Sequence, residues 1–84
     1  MSSTACAIEA EQHTQNFCYN FYPDPANASN CMQAGVDAGV FLQKGIQPNC
    51  QLGSEQQQNG CNIYTGYYNT CTNPTPHVHN YMKR

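Results

Sequence analysis

Eighty-four residues, 39% of them hydrophobic and 10% charged, leave room for one domain, 1–84, because a chain this short buries only about 60% of the surface its unfolded form exposes. Residues 1–82 set Lys44 alone against Glu9, Glu11, Asp24, Asp37 and Glu55, one cation against five acids, leaving −4 before the terminal Lys83-Arg84. Phosphate backbones and anionic bilayers are bound by clustered Lys and Arg, so neither nucleic acid, nor membrane insertion, nor a cationic lytic peptide is expected.

In chain order, residues 1–4 are expected to be flexible and Ala5 to Glu11 is read as a short strand. Phe17 to Tyr22 is read as a second strand, since aromatic residues suit a pleated surface; period two sets Phe17, Tyr19 and Phe21 on one face and Cys18, Asn20 and Tyr22 on the other. Pro23-Asp24-Pro25 stops it, because prolines remove ladder donors and restrict the residues before them. A helix is then predicted from Asn27 or Ser29, either of which can cap it, to Lys44-Gly45, a cation and a C-terminal stop. Gly35 and Gly39 fall at the centre of its apolar side, among Cys31, Met32, Ala38 and Leu42. Two glycines there cost about 1 kcal/mol each and imply very close approach to a sheet. Gly45 to Gly60 reads as a loop with a short strand at Cys50 to Leu52 and a turn at Asn59-Gly60. Cys61 to Thr72 fits a helix through Tyr64, Tyr68 and Cys71, or a strand through Cys61, Ile63, Thr65 and Tyr67; the helix is the reading taken. The tail, 74–84, is expected to be flexible.

Large aliphatic residues are scarce, and domains of this size need staples. Cys6, Cys18, Cys31, Cys50, Cys61 and Cys71 are six in number and almost evenly spread. That pattern reads as a disulfide framework formed in an oxidising compartment. Structural zinc wants ligand pairs two to four residues apart, whereas the nearest neighbours here, Cys61 and Cys71, are ten apart. Three bridges at about 2 to 4 kcal/mol each would contribute on the order of 6 to 12 kcal/mol. With no run long and apolar enough to span a membrane or serve as a leader, the chain is read as the processed form of a secreted, extracellular protein.

An aromatic strand carrying Cys18, a helix with Cys31 in its first turn, a later strand with Cys50, and Ile63-Tyr64-Thr65-Gly66-Tyr67-Tyr68-Asn69-Thr70-Cys71 together resemble the fungal killer-toxin-like small secreted effectors. That family includes the subunits of the virally encoded killer toxin of smut fungi. The resemblance covers about residues 17–72. It implies an α+β fold, a small disulfide-rich α/β sandwich with two helices packed on a short antiparallel sheet, and no enzymatic activity. The family often carries two Cys one residue apart on the first strand, whereas Cys18 stands between Phe17 and Tyr19. Of fifteen possible pairings, a bridge from Cys18 to Cys31 fits both the short loop and the resemblance; Cys6 with Cys71 and Cys50 with Cys61 would complete the set. Lys83-Arg84 matches the dibasic pair at which such precursors are cut, or is an ordinary charged C-terminus.

Aromatic side chains are the remaining functional material. If Cys18 points inward, Phe17, Tyr19 and Phe21 face away from the helix and form an exposed patch, a candidate binding surface; alternatively Phe17 and Phe21 form the core. Tyr64, Tyr67 and Tyr68 are candidates of the same kind, or are half-buried. Asn27-Ala28-Ser29 is a glycosylation acceptor at Asn27, or the helix cap. His77-Val78-His79, with His13, is the one constellation with metal-ligand character, since two imidazoles on alternate residues could share an ion; it needs a third ligand and second-shell support, and two solvated histidines are the commoner outcome in a Pro-rich tail, so no metal and no other cofactor is expected. A small secreted ribonuclease would need Arg beside a His and Glu pair, and the only Arg is Arg84. The expected function is therefore that of a non-enzymatic effector or toxin-like protein that binds an unknown protein or cell-surface target. The alternatives are a secreted protease inhibitor presenting Gly45 to Asn49, or a carbohydrate-binding module. A ribonuclease-like enzyme, third, would require His13 with Glu9 or Glu11 to converge in a cleft.

Overall fold

The computed structural model describes residues 3–73, and these form three helices: α1, Ser3–Phe21; α2, Pro25–Gln43; and α3, Glu55–Thr72. No strand occurs among the described residues, which overturns the expected α/β sandwich, its sheet, and the strands at Ala5 to Glu11, Phe17 to Tyr22 and Cys50 to Leu52. The first lies within α1, the second is helical through Phe21 with Tyr22 just past the end of α1, and the third belongs to the loop between α2 and α3.

The reason is legible in what each helix buries. α1 buries Cys6, Ala10, Thr14 and Cys18, a row at i, i+4, i+8 and i+12. Such spacing is one face of a helix, but it is written in small residues rather than large apolar ones. Thr14 is fully buried and donates its hydroxyl to the Ala10 carbonyl at 2.7 Å, so its polar atom costs little inside the bundle. The stretch expected to be flexible at 1–4 already contains the start of α1 at Ser3, whereas 74–84 lies outside the described residues.

α2 begins earlier than its sequence signals implied. Asp24 is the N-cap, accepting from the Ala26 amide at 2.9 Å, and Pro25 occupies the first helical turn. Proline there loses nothing, because its missing N–H would have been unpaired anyway. The Pro-Asp-Pro segment is thus a helix start, not only a strand stop. The C-terminal stop at Lys44-Gly45 is as expected: Lys44 is the C-cap, and Gly45 follows with φ +81°.

α3 also starts early. Ser54 caps it, accepting from the Gln57 amide at 3.3 Å while the Gln57 side chain accepts from the Ser54 amide at 2.7 Å. This reciprocal capping box draws the glutamine run and Asn59-Gly60 into the helix, where a turn was expected.

The three helices meet on glycines. A Cβ on Gly35 would lie 2.7 Å from Thr14 Cγ2 and 3.1 Å from the Gly60 carbonyl oxygen, and one on Gly39 would lie 2.6 Å from Tyr64 Cζ. Gly60 faces the backbone of Cys31 so closely that a Cβ there would overlap its carbonyl. The close approach inferred for Gly35 and Gly39 is real, but its partners are α1 and α3. Tyr64 fills the centre: buried at 3% exposure, it packs on Gly39 of α2 and donates its hydroxyl to the Ala7 carbonyl of α1 at 3.3 Å.

Three disulfides close the bundle. Cys18–Cys31 spans the turn between α1 and α2, with Cα atoms 5.7 Å apart. Cys6–Cys71 ties the start of α1 to the end of α3 at 5.6 Å, and Cys50–Cys61 pins the loop to α3 at 5.2 Å. All lie within ordinary bridging range. They join residues on helices and a loop, where a strand-to-helix link was implied for Cys18. No helix among the described residues is long and apolar enough to cross a membrane.

Candidate functional site

The buried row of α1 fixes what lies beside it. His13, Phe17 and Phe21 recur at i, i+4 and i+8, one position away from the buried Thr14 and Cys18, so they line the flank of α1 rather than its centre. On α3, Ile63 and Tyr67 stand in the same relation to the buried Tyr64 and Tyr68. The two flanks meet. His13 stacks on Tyr67 with ring centroids 3.9 Å apart and planes 5° from parallel. Together these residues line a groove of about 350 Å³ between α1 and α3, rimmed by the amides of Asn16 and Asn20.

The aromatic wall of the groove is ordered by its own contacts. Phe17 and Phe21 stack at 5.1 Å, and Tyr22 stands edge-on to Phe21 at 4.9 Å. Such offset and edge-to-face pairs contribute about 0.5–1.5 kcal/mol beyond burial. Tyr22 is anchored from α3, accepting a hydrogen bond from Asn59 Nδ2 at 2.6 Å. Asn20 Nδ2 donates to Asn16 Oδ1 at 2.9 Å, which leaves Asn20 Oδ1 and Asn16 Nδ2 with capacity to accept and donate. No Asp, Glu, Lys or Arg lines the groove. Its lining is large apolar faces and one imidazole, with a rim of side-chain amides.

The residues singled out from sequence divide. Phe17, Phe21 and Tyr67 come together in the groove, and Phe21 is 56% exposed. Tyr19 does not join them, because two positions along a helix turn a side chain about 200° away; it lies with Gln12, Gln15 and Asn20 around a shallow depression. Tyr64 and Tyr68 are core residues, stacked at 6.3 Å and closed to any partner. Burial, with the charges of Glu11 and then Tyr68, pushes the Tyr64 hydroxyl above the ordinary tyrosine value. Ile63 and Tyr22 were not candidates, and His13 was one only for metal ligation or for catalysis with Glu9 or Glu11, although the four-residue spacing of His13, Phe17 and Phe21 held the signal for the groove.

Asn27 lies in the first turn of α2, where its side-chain oxygen accepts from Gln56 Nε2 of α3. Glu9 and Glu11 do not line the groove that holds His13; Glu9 Oε1 is 3.9 Å from Cys71 Sγ. No three His, Cys, Asp or Glu side chains among the described residues are disposed to hold a metal ion. His77, His79, Lys83 and Arg84 lie outside the described residues. Gly45 to Asn49 is an exposed loop restrained by a reciprocal amide pair, Gln47 Nε2 to Asn69 Oδ1 at 3.3 Å and Asn69 Nδ2 to Gln47 Oε1 at 3.1 Å. Compared with protein-family models, with curated proteins and with solved structures, the chain matches none.

Proposed function

We propose that this is a secreted, disulfide-stabilised recognition module, effector- or toxin-like, that binds a protein or cell-surface target through the α1/α3 groove. One observation carries the reading: the bundle packs its interior with alanine, glycine, cysteine and tyrosine, together with Thr14 and Leu42, while it keeps Phe17, Phe21 and Tyr67 in a surface groove. Large rigid rings at a surface supply contact area at low cost in conformational entropy, and such side chains dominate binding hot spots. Three bridges support the secreted setting, since disulfides persist where the environment is oxidising. The bridges are compatible with an effector- or toxin-like role, and the sheet implied by the family resemblance, which does not occur among the described residues, lends it nothing.

The test uses the native oxidised protein, fluorescently labelled at its amino groups and titrated onto intact fungal and plant cells. Saturable binding displaced by unlabelled protein, and weakened at least tenfold by Phe21→Gln in a variant with unchanged circular dichroism, is the expected result. Equal binding by the variant removes the groove from the function. A second reading, protease inhibition, is favoured by the restrained and exposed loop Gly45 to Asn49, fixed at one end by Cys50–Cys61. It predicts tight inhibition of a secreted protease that is lost on Ile46→Gly and untouched by Phe21→Gln.

A further inference from the structure

A different face of the bundle holds a larger and more apolar groove of about 520 Å³, framed by α2, the α2–α3 loop and the start of α3. Volumes of this order are those of small-molecule sites. Phe41, Ile46 and Leu52 line it, and they are 48, 50 and 68% exposed. Three large apolar side chains standing open around one concavity exceed the scattered single exposures normal for a surface.

The wall of this groove is built rather than loose. Cys61, itself a lining residue, holds the loop through its bridge to Cys50. Asn69 holds Gln47, and Gln58 Nε2 donates to the Gly53 carbonyl at 3.0 Å. A site already formed spends little binding energy on ordering itself.

One charged side chain lines the groove: Asp37, four residues before Phe41 and therefore above it on the same helix face. Its Oδ1 accepts from Gln33 Nε2 at 3.0 Å, and this is the hydrogen bond its carboxylate makes among the described residues. The charged caps of α2, Asp24 and Lys44, are not part of the lining. A carboxylate and an aromatic ring one turn apart form a two-sided receptor for a cation, by charge on one side and ring quadrupole on the other.

We propose that this groove binds small amphipathic amines, with the ammonium between Asp37 and Phe41 and the apolar body along Ile46, Pro48 and Leu52. The net acidity of the chain favours the same sign of ligand. This site shares no residue with the α1/α3 groove, so it stands or falls separately from the proposed recognition function.

The experiment titrates octylammonium, octanol and octanoate, each below its micelle concentration at pH 7, into the ¹⁵N-labelled oxidised protein. An exposed ion pair and a cation–π contact together give about tenfold preference for the amine over the alcohol. The expected result is saturable amide shifts centred on Asp37, Phe41, Ile46 and Leu52, in the order amine, alcohol, carboxylate. Asp37→Asn, on a spectrum otherwise unchanged, brings the amine down to the alcohol and leaves the alcohol where it was; Leu52→Ser weakens all three. Equal binding of the three probes, an unaltered preference in Asp37→Asn, shifts centred on the α1/α3 groove, or no saturable shift each overturn the proposal.

Discussion

Replacing Gly60 with alanine sets two opposite effects of one methyl group against each other. In an exposed helix interior, glycine to alanine stabilises by about 0.5–1 kcal/mol, because the unfolded chain loses freedom it would otherwise have to give up. At Gly60 the new carbon would fall 2.7 Å from the Cys31 carbonyl carbon and 3.1 Å from Cys31 Cα, with the carbonyl oxygen nearer still. All three neighbours are backbone, so no side chain can rotate away, and α2 and α3 must move apart along a seam that also holds Gly35 and Tyr64. Overpacking that shifts backbone costs about 1–3 kcal/mol; with the overlap at Gly60 taken at the upper end and the alanine gain subtracted, we expect a net loss of about 2 kcal/mol. Gly66 lies in the same helix with nothing within 4 Å of its missing Cβ, and Gly66→Ala is expected to gain about 0.5–1 kcal/mol. With guanidinium m-values of roughly 2–3 kcal/mol per molar for a domain this small, the two midpoints separate by about 1 M. The assay is guanidinium unfolding of both oxidised variants followed by circular dichroism. A Gly60→Ala protein as stable as Gly66→Ala would refute the close crossing of α2 and α3.

The three bridges enclose chain separations of 65, 13 and 11 residues; removing Cys6–Cys71 alone as a double Cys→Ala variant is expected to cost about 4 kcal/mol and either of the others about 3, read from denaturant midpoints. Tyr64 is protonated more firmly in the folded than in the unfolded chain, where its hydroxyl titrates near 10.0. Unfolded protein therefore loses its proton first, and stability falls as pH rises through 10 toward the folded value. Tyr64→Phe is expected to lose about 1 kcal/mol at pH 7 with the bond to Ala7 and to show a shallower decline above pH 10 in thermal melts. Thr14→Val, which keeps the methyl packed against Gly35, is expected to change stability by less than about 1 kcal/mol, whereas Thr14→Ala opens a void there and costs about 1–2, measured in the same melts.

What was legible in the sequence was the chemistry of single residues, and what was not was period. Six evenly spaced cysteines announced a stapled fold, Gly35 and Gly39 announced a close crossing, and Lys44-Gly45 marked the end of α2. The burial pattern of α1 was hidden because Ala10 and Thr14 carry too little apolar surface to register, while the alternating aromatics of Phe17 to Tyr22 suit a strand. In the helix, that alternation puts Tyr19 on the far side and pairs Phe17 with Phe21. Pro25 and Gly60 misled for a related reason. Each is a helix breaker by propensity, and each is tolerated for a tertiary or positional reason: a first-turn position for Pro25, a backbone crossing for Gly60. The groove was half visible, through its rings but not through His13 and Ile63, whose role depends on two helices meeting.

The central claim is that α1 and α3 are helices whose flanks meet in an aromatic groove. The most direct test is a proton NOE spectrum of the native oxidised protein in solution. The structure predicts sequential amide contacts throughout Ser3 to Phe21 together with strong contacts between the His13 and Tyr67 rings, which lie 3.9 Å apart. Cross-strand contacts from Phe17 to Tyr22, with no contact between His13 and Tyr67, would contradict both the helical bundle and the groove built on it.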